Sequence, residues 1–145
     1  MESCPICGSR LEPASEEREI RIGTRSARVI DRFLRCPGCE EVLYLPGQMD
    51  ATLMRASEVI RQEEGLLSPS EILAIRARLH LSQQAFERLL GVGPKTVVRW
   101  EKGTVFQNRS TDSLLRVVAE FPEVARFLAG LHGVVLPDPA PITPV

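Results

Sequence analysis

The sequence predicts an α+β chain: a small cysteine-stapled antiparallel β domain followed by an all-α domain of five helices. Three observations carry that expectation. The four cysteines form two C-x2-C pairs, Cys4–Cys7 and Cys36–Cys39, separated by 28 residues. Short β-favouring segments lie between and just after the pairs. Beyond Leu67, apolar residues recur at helical spacing in segments opened by capping residues and closed by glycine. The expected divisions are 1–48 for the β domain, 49–66 for a connecting helix, 67–132 for the helical domain and 133–145 for a tail.

A chain of 145 residues has room for one ordinary domain or two small ones. With 43% hydrophobic and 26% charged residues, its composition is that of a soluble globular protein. No stretch approaches the ~18 apolar residues that span a bilayer. No basic run followed by an apolar core and small residues opens the chain. A cytoplasmic, reducing setting without a membrane partner is therefore expected. The net charge of −1 hides a split: residues 1–65 hold nine Arg against twelve Asp and Glu, whereas 66–132 hold nine Lys and Arg against six acids. A modestly basic second half suits a polyanionic partner.

In the first block, Glu19–Ile22 and Arg28–Leu34 are strand-like with partial alternation, split by Gly23-Thr24. Val42–Leu45 makes a third short strand, stopped by Pro46-Gly47. A connecting helix is expected from Asp50, as N-cap, to Glu64, with Gly65 as its stop. Leu53, Met54, Ser57 and Ile60 give it a narrow apolar stripe, which fits a bridge between modules better than a core helix. Ser68-Pro69-Ser70-Glu71 is a capping box with proline at the first helical position, and Leu67 and Ile72 stand where a hydrophobic staple would pair. Five helices follow, at about 69–79, 83–90, 94–102, 111–120 and 122–131. Pro137, Pro139, Pro141 and Pro144 make a disordered tail the expectation from Gly133 onward.

Each C-x2-C pair can turn two thiolates toward one point. Four thiolates in a tetrahedron are what Zn²⁺ takes in a structural site, so Cys4, Cys7, Cys36 and Cys39 are the expected ligands of one zinc ion. A rubredoxin-like iron site, two disulfides and free thiols are the alternatives. With no position left open for water, the role is structural. A sheet of about 45 residues needs such a staple to be stable. Four thiolates around one Zn²⁺ keep a net negative charge, which favours a protein partner over DNA for this block.

The most informative stretch is Leu81 to Gly103. Ser82 caps one short helix, Gly91 permits a positive-φ corner, and Gly93-Pro94 restarts a second helix with proline at its first position. Phe86, Leu89, Leu90, Val97 and Trp100 are spaced to bury against Ile72, Ile75 and Leu79. That leaves Lys95, Thr96 and Arg99 on the opposite face, with Lys95 and Arg99 one turn apart. This resembles the Xre-type helix-turn-helix of the Cro and phage-repressor superfamily. The matching residues are Ser82-Gln83 at the second helix, Gly91 at the turn and Trp100-Glu101-Lys102-Gly103 closing the third. The resemblance implies binding of double-stranded DNA, with Gln83 on a backbone phosphate and Lys95 and Arg99 reading bases. Arginine bidentate to guanine is the commonest specific contact, and Thr96 suits a phosphate. One residue departs from the pattern. The fifth position of the second helix is usually small, and here it is Glu87. Either the helices splay slightly, or Glu87 leans out to pair with a base such as Arg88.

Taken together, the two modules resemble the MqsA family of antitoxins over about residues 3–126. The likeness rests on Cys4-Pro5-Ile6-Cys7, Cys36-Pro37-Gly38-Cys39-Glu40, Trp100-Glu101-Lys102-Gly103, Ser110-Thr111 leading into Leu114-Leu115-Arg116-Val117, and Pro122-Glu123. It implies a zinc domain that binds a cognate mRNA-cleaving toxin. It also implies a C-terminal domain that dimerises and represses the toxin–antitoxin promoter at a palindromic operator. Leu114, Leu115, Val118, Phe121, Val124, Phe127 and Leu128 either form the dimer surface or complete the monomer core. In the family, the position matching Lys95 is often an amide, so the operator sequence stays open.

A regulator whose zinc block senses redox or metal state, without a toxin, is the competing reading. An enzyme is not expected. His80 and His132 are the only histidines and lie far apart in sequence, and no phosphate-cradling glycine loop or nucleophile motif is present. His80 reads as the polar end of the first helix.

Overall fold

The computed structural model describes residues 3–137 and divides into two compact units, 1–64 and 65–145. The first is a three-stranded antiparallel sheet, β1 (Glu12–Ile22), β2 (Arg25–Arg35) and β3 (Val42–Leu43) in the order β1-β2-β3, with one helix, α1 (Gln48–Glu64). β1 and β2 form a long hairpin that pairs Glu12 with Arg35 and Ile22 with Arg25. Gly23, at φ 64, makes the turn. β1 therefore starts seven residues before the expected Glu19. Its first half is charged, holds Pro13 and is exposed, so nothing in its own sequence marks a strand. It is an edge strand, where proline and charge are tolerated, and pairing with β2 holds it extended.

β2 alternates strictly from Ala27 to Phe33: Ala27, Val29, Asp31 and Phe33 are buried, while Arg28, Ile30 and Arg32 face out. α1 lies across this inner face. It buries Thr52, Ala56, Ser57 and Ile60, and leaves Leu53 and Met54 exposed. The helix is thus part of the N-terminal unit rather than a bridge, and its buried face is the small-residue one. Ala56, fully buried, lets the helix approach the sheet closely. The acid on the inner face is satisfied: Asp31 Oδ2 accepts from Tyr44 Oη at 2.7 Å, and Oδ1 accepts from Thr52 Oγ1 at 3.2 Å. Arg18 lies 3.4 Å from the same carboxylate.

Among the described residues, the second unit has five helices: α2 (Pro69–Arg78), α3 (Gln83–Leu90), α4 (Thr96–Lys102), α5 (Arg109–Glu120) and α6 (Pro122–His132). The capping box at Ser68 forms in both directions, and Leu67 and Ile72 are both buried beside it. Phe86, Leu89, Val97, Trp100, Ile72 and Ile75 make one core with Leu115, Val118, Ala125 and Ala129. The last two helices divide their apolar residues. Leu115 and Val118 complete this core, whereas Phe121, Phe127 and Leu131 stay exposed. Gly133 ends α6 at φ 66, and the chain turns back so that Val134 is buried and Leu136 packs on the core. The expected disordered tail therefore does not begin at Gly133. Residues 138–145 lie outside the described part. Among the described residues, no helix is long and apolar enough to cross a membrane.

Candidate metal centre and candidate nucleic-acid interface

All four cysteines of the first unit meet at one point. Their Sγ atoms lie within 4.8 Å of one another, with Cys4–Cys39 at 3.5 Å and Cys7–Cys36 at 3.3 Å. Two backbone knuckles produce this. In each, the amide two residues after the first cysteine points at its sulfur: Ile6 N–H to Cys4 and Gly38 N–H to Cys36, both at 3.4 Å. Gly38 packs closely here: a Cβ at that position would crowd Ser9 Oγ at 3.1 Å and touch Cys7 Sγ at 3.4 Å. The long 28-residue insert is the β1–β2 hairpin, which returns the second pair to the first.

The electrostatics ask for a cation. The Ser9 hydroxyl beside Cys7 brings its thiol down to about 6, and the Cys7 backbone N–H lowers that of Cys4. Cys39 goes the other way: the Glu41 N–H favours its thiolate, but burial and the three neighbouring sulfurs push it up to about 12. The first thiolates form readily and the last is opposed by the others. A divalent cation at the centroid removes that opposition. Sulfurs bonded tetrahedrally at ~2.3 Å would stand about 3.8 Å apart, close to the spacing present. The tetrad can therefore hold a metal ion, with Cys4, Cys7, Cys36 and Cys39 as a complete ligand set.

In the second unit, α3 and α4 form the two helices of a helix-turn-helix, joined through Gly91 at φ 74. Val97 and Trp100 fix the inner side of α4, while Lys95 and Arg99 are exposed and Thr96 is half-buried. The expected face is present, with one change at its start. Pro94 does not open the helix. α4 begins at Thr96, and Lys95 is its N-cap in the left-handed region, at φ 67. The Lys95 carbonyl still accepts the Arg99 N–H at 3.2 Å, so the two residues remain one turn apart. The lysine side chain, however, leaves from a turn and not from the helix.

Gln83, the first residue of α3, donates from Nε2 to Glu101 Oε1 at 3.1 Å. Glu101 also takes a bidentate pair from Arg76, at 2.7 and 2.9 Å, and Arg76 Nη1 bonds the Leu81 carbonyl. This network ties α2, the start of α3 and the end of α4 together. The residue that sequence reasoning misjudged is Glu87. It does not lean out to Arg88. It is buried, and its Oε2 accepts the Val97 N–H at 3.0 Å.

The fold and these two sites define a two-unit chain: a cysteine-cluster sheet unit and a helix-turn-helix unit. Residues 1–128 match the family described as the antitoxin component of bacterial toxin–antitoxin systems, MqsA. Antitoxin MqsA of Escherichia coli K12 is 26% identical over 125 residues, which cover 83% of this chain and 95% of that protein. Antitoxin HigA-2 of Vibrio cholerae is 35% identical over 65 residues, 45% of this chain. That match spans 62% of HigA-2, less than two thirds of its length. The chain belongs to the MqsA antitoxin family.

Proposed function

We propose that the chain is the antitoxin and promoter repressor of a type II toxin–antitoxin pair, without enzymatic activity of its own and working in the cytoplasm. Its zinc-held first unit binds the toxin. Its second unit binds a palindromic operator as a homodimer, with Arg99 and Lys95 reading bases and Thr96 and Gln83 at the phosphates. The observation that carries the DNA half is the two-sidedness of α4: Val97 and Trp100 are buried on one side, Lys95 and Arg99 are open on the other. Zinc is supported by the all-cysteine donor set, four soft sulfurs within 4.8 Å of one another that would fill a tetrahedral site. The exposed Phe121, Phe127 and Leu131 support α5 and α6 as the contact between copies.

The test is binding of the full chain to the duplex upstream of its own gene. Arg99→Ala should weaken operator binding by ~1–3 kcal/mol and relax the sequence preference at one position, while Gln83→Ala weakens all duplexes alike. Native operator binding by Arg99→Ala would remove α4 as the reading helix. For the toxin half, the adjacent reading frame should encode a small basic protein that co-purifies with this one.

A further inference from the structure

We propose that Glu87 is the positioning residue for the reading end of α4: operator recognition depends on a carboxylate on α3 that never touches DNA. The inference rests on α4 being the reading helix. At seven residues, α4 is under two turns long, too short to hold itself together. Three other helices of this unit carry their own caps: Ser68 accepts from Glu71 N–H, Ser82 from Ala85 N–H and Asn108 from Thr111 N–H. α4 has none, because its N-cap is Lys95 in a left-handed turn, whose side chain makes no capping bond. The acceptor comes from the preceding helix. Glu87, 6% exposed, gives Oε2 to the Val97 N–H at 3.0 Å. A carboxylate there serves twice, as an acceptor for an orphan amide and as a negative charge at the positive end of the helix dipole.

The position of this bond matters for function. Val97 is fully buried, and it directly follows Lys95 and Thr96, two of the residues on the reading face. Anchoring its amide to α3 sets the height and rotation of that end of α4 against the rest of the unit. A shift of about 1 Å there would move the contacting atoms out of hydrogen-bond range of a base edge. Contacts with phosphates, assigned to the Thr96 hydroxyl and to Gln83 on α3, carry no sequence information and are less demanding of position. Loss of the Glu87 bond should therefore cost discrimination and not general DNA affinity.

Two full-chain variants of nearly equal side-chain volume separate this from a merely structural role. Glu87→Gln keeps an oxygen for the Val97 N–H; Glu87→Met keeps the length without it. Each is titrated with the operator duplex and with an unrelated duplex of equal length. Emission from Trp100, the single tryptophan, confirms that the helical unit is folded. Glu87→Met should lose about tenfold or more of its operator affinity with the unrelated duplex unchanged, and Glu87→Gln should stay within about threefold of native. The Val97 amide should exchange faster in Glu87→Met, as read by NMR. Native operator affinity in Glu87→Met, or an equal loss on both duplexes, would overturn the proposal. Failure of α4 as the reading helix shows up separately, as an Arg99→Ala protein that binds its operator normally.

Discussion

Asp112 is a buried acid that joins α5 to the segment entering α2, and its removal should destabilise the helical unit. The carboxylate sits at the start of α5 with its side chain 7% exposed. Oδ1 accepts the Leu67 N–H at 2.8 Å and Gln107 Nε2 at 3.0 Å, and Oδ2 accepts Arg116 Nε at 2.8 Å. Gln107 and Arg116 in turn bond the carbonyls of Leu67 and Gly65, so the segment leading into α2 is clamped on α5 through this one acid. In Asp112→Ala, the half-exposed Arg116 rehydrates and Gln107 keeps its bond to Leu67. The main loss is the buried Leu67 amide, orphaned at a cost of ~1–3 kcal/mol, with a charge-assisted bond lost beside it. The expected total is about 3 kcal/mol, a large share of a small domain's stability. In urea, followed by Trp100 emission, that lowers the midpoint by about 2 M at a slope of about 1.5 kcal/mol per M. Asp112→Asn retains an oxygen for Leu67 and should cost only about 1 kcal/mol, since the Arg116 pair is largely solvated. The acid limb follows from the titration. Burial pushes the Asp112 carboxyl up, but the Leu67 N–H, Arg116 and Gln107 outweigh it and hold it below the usual carboxylate range. Its contribution is therefore present above the unfolded value of about 4 and is lost as pH falls through the lower folded value. Asp112→Asn should flatten that limb. An Ala variant within about 1 kcal/mol of native, or an Asn variant as damaged as Ala, would refute the reasoning.

Two further perturbations test the other parts of the chain. Chelation of a metal held by the four cysteines, as proposed, should expose four reactive thiols and remove β-sheet circular dichroism while the Trp100 unfolding midpoint stays put. A midpoint that fell with the metal would contradict independent stabilisation of the two units, and an operator affinity that followed the metal would favour a sensing role. Phe127→Glu, at a residue 69% exposed on α6, should convert the proposed homodimer to monomer in sedimentation without lowering the Trp100 midpoint. An unchanged mass would place the contact between copies elsewhere.

What the sequence revealed and what it hid divide along one physical line. The cysteine pairs, the Ser68–Glu71 capping box, the Gly91 corner and the buried side of α4 are written within a few residues of one another, and all are present in the structure. The misses depend on partners far along the chain. The first half of β1 is a strand only because β2 lies beside it. Asp31 broke the apolar alternation of β2, yet it faces inward because Tyr44 and Thr52, well downstream, satisfy it. α1 buries Ala56 and Thr52 in preference to Leu53 and Met54 because the sheet rewards close approach. Glu87 looked out of place at a position that favours small residues, and the amide it serves lies ten residues on. Charged residues that violate a pattern are where tertiary hydrogen bonds are to be sought.

The same consideration refines the role of Gln83. Read from sequence, it is a free amide at a helix N-terminus, ready for a phosphate. In the folded chain its Nε2 already donates to Glu101, a carboxylate 6% exposed that Arg76 also holds. To donate to a phosphate with that group, Gln83 must give up a bond to one anion for a bond to another. Glu101 stays satisfied by the two Arg76 bonds, so the exchange is permitted, and the equal weakening of all duplexes expected of Gln83→Ala is set by the modest difference between the two bonds. The backbone amides at the start of α3 face no such competition from Glu101, and the side chain's larger service is to hold the start of α3 to the end of α4. In the proposed reading, specific affinity then rests on Arg99 and Lys95, for which the described residues hold no comparable bond to surrender, while the buried Glu87 and the partly buried Glu101 would set the frame in which those two cations meet the bases.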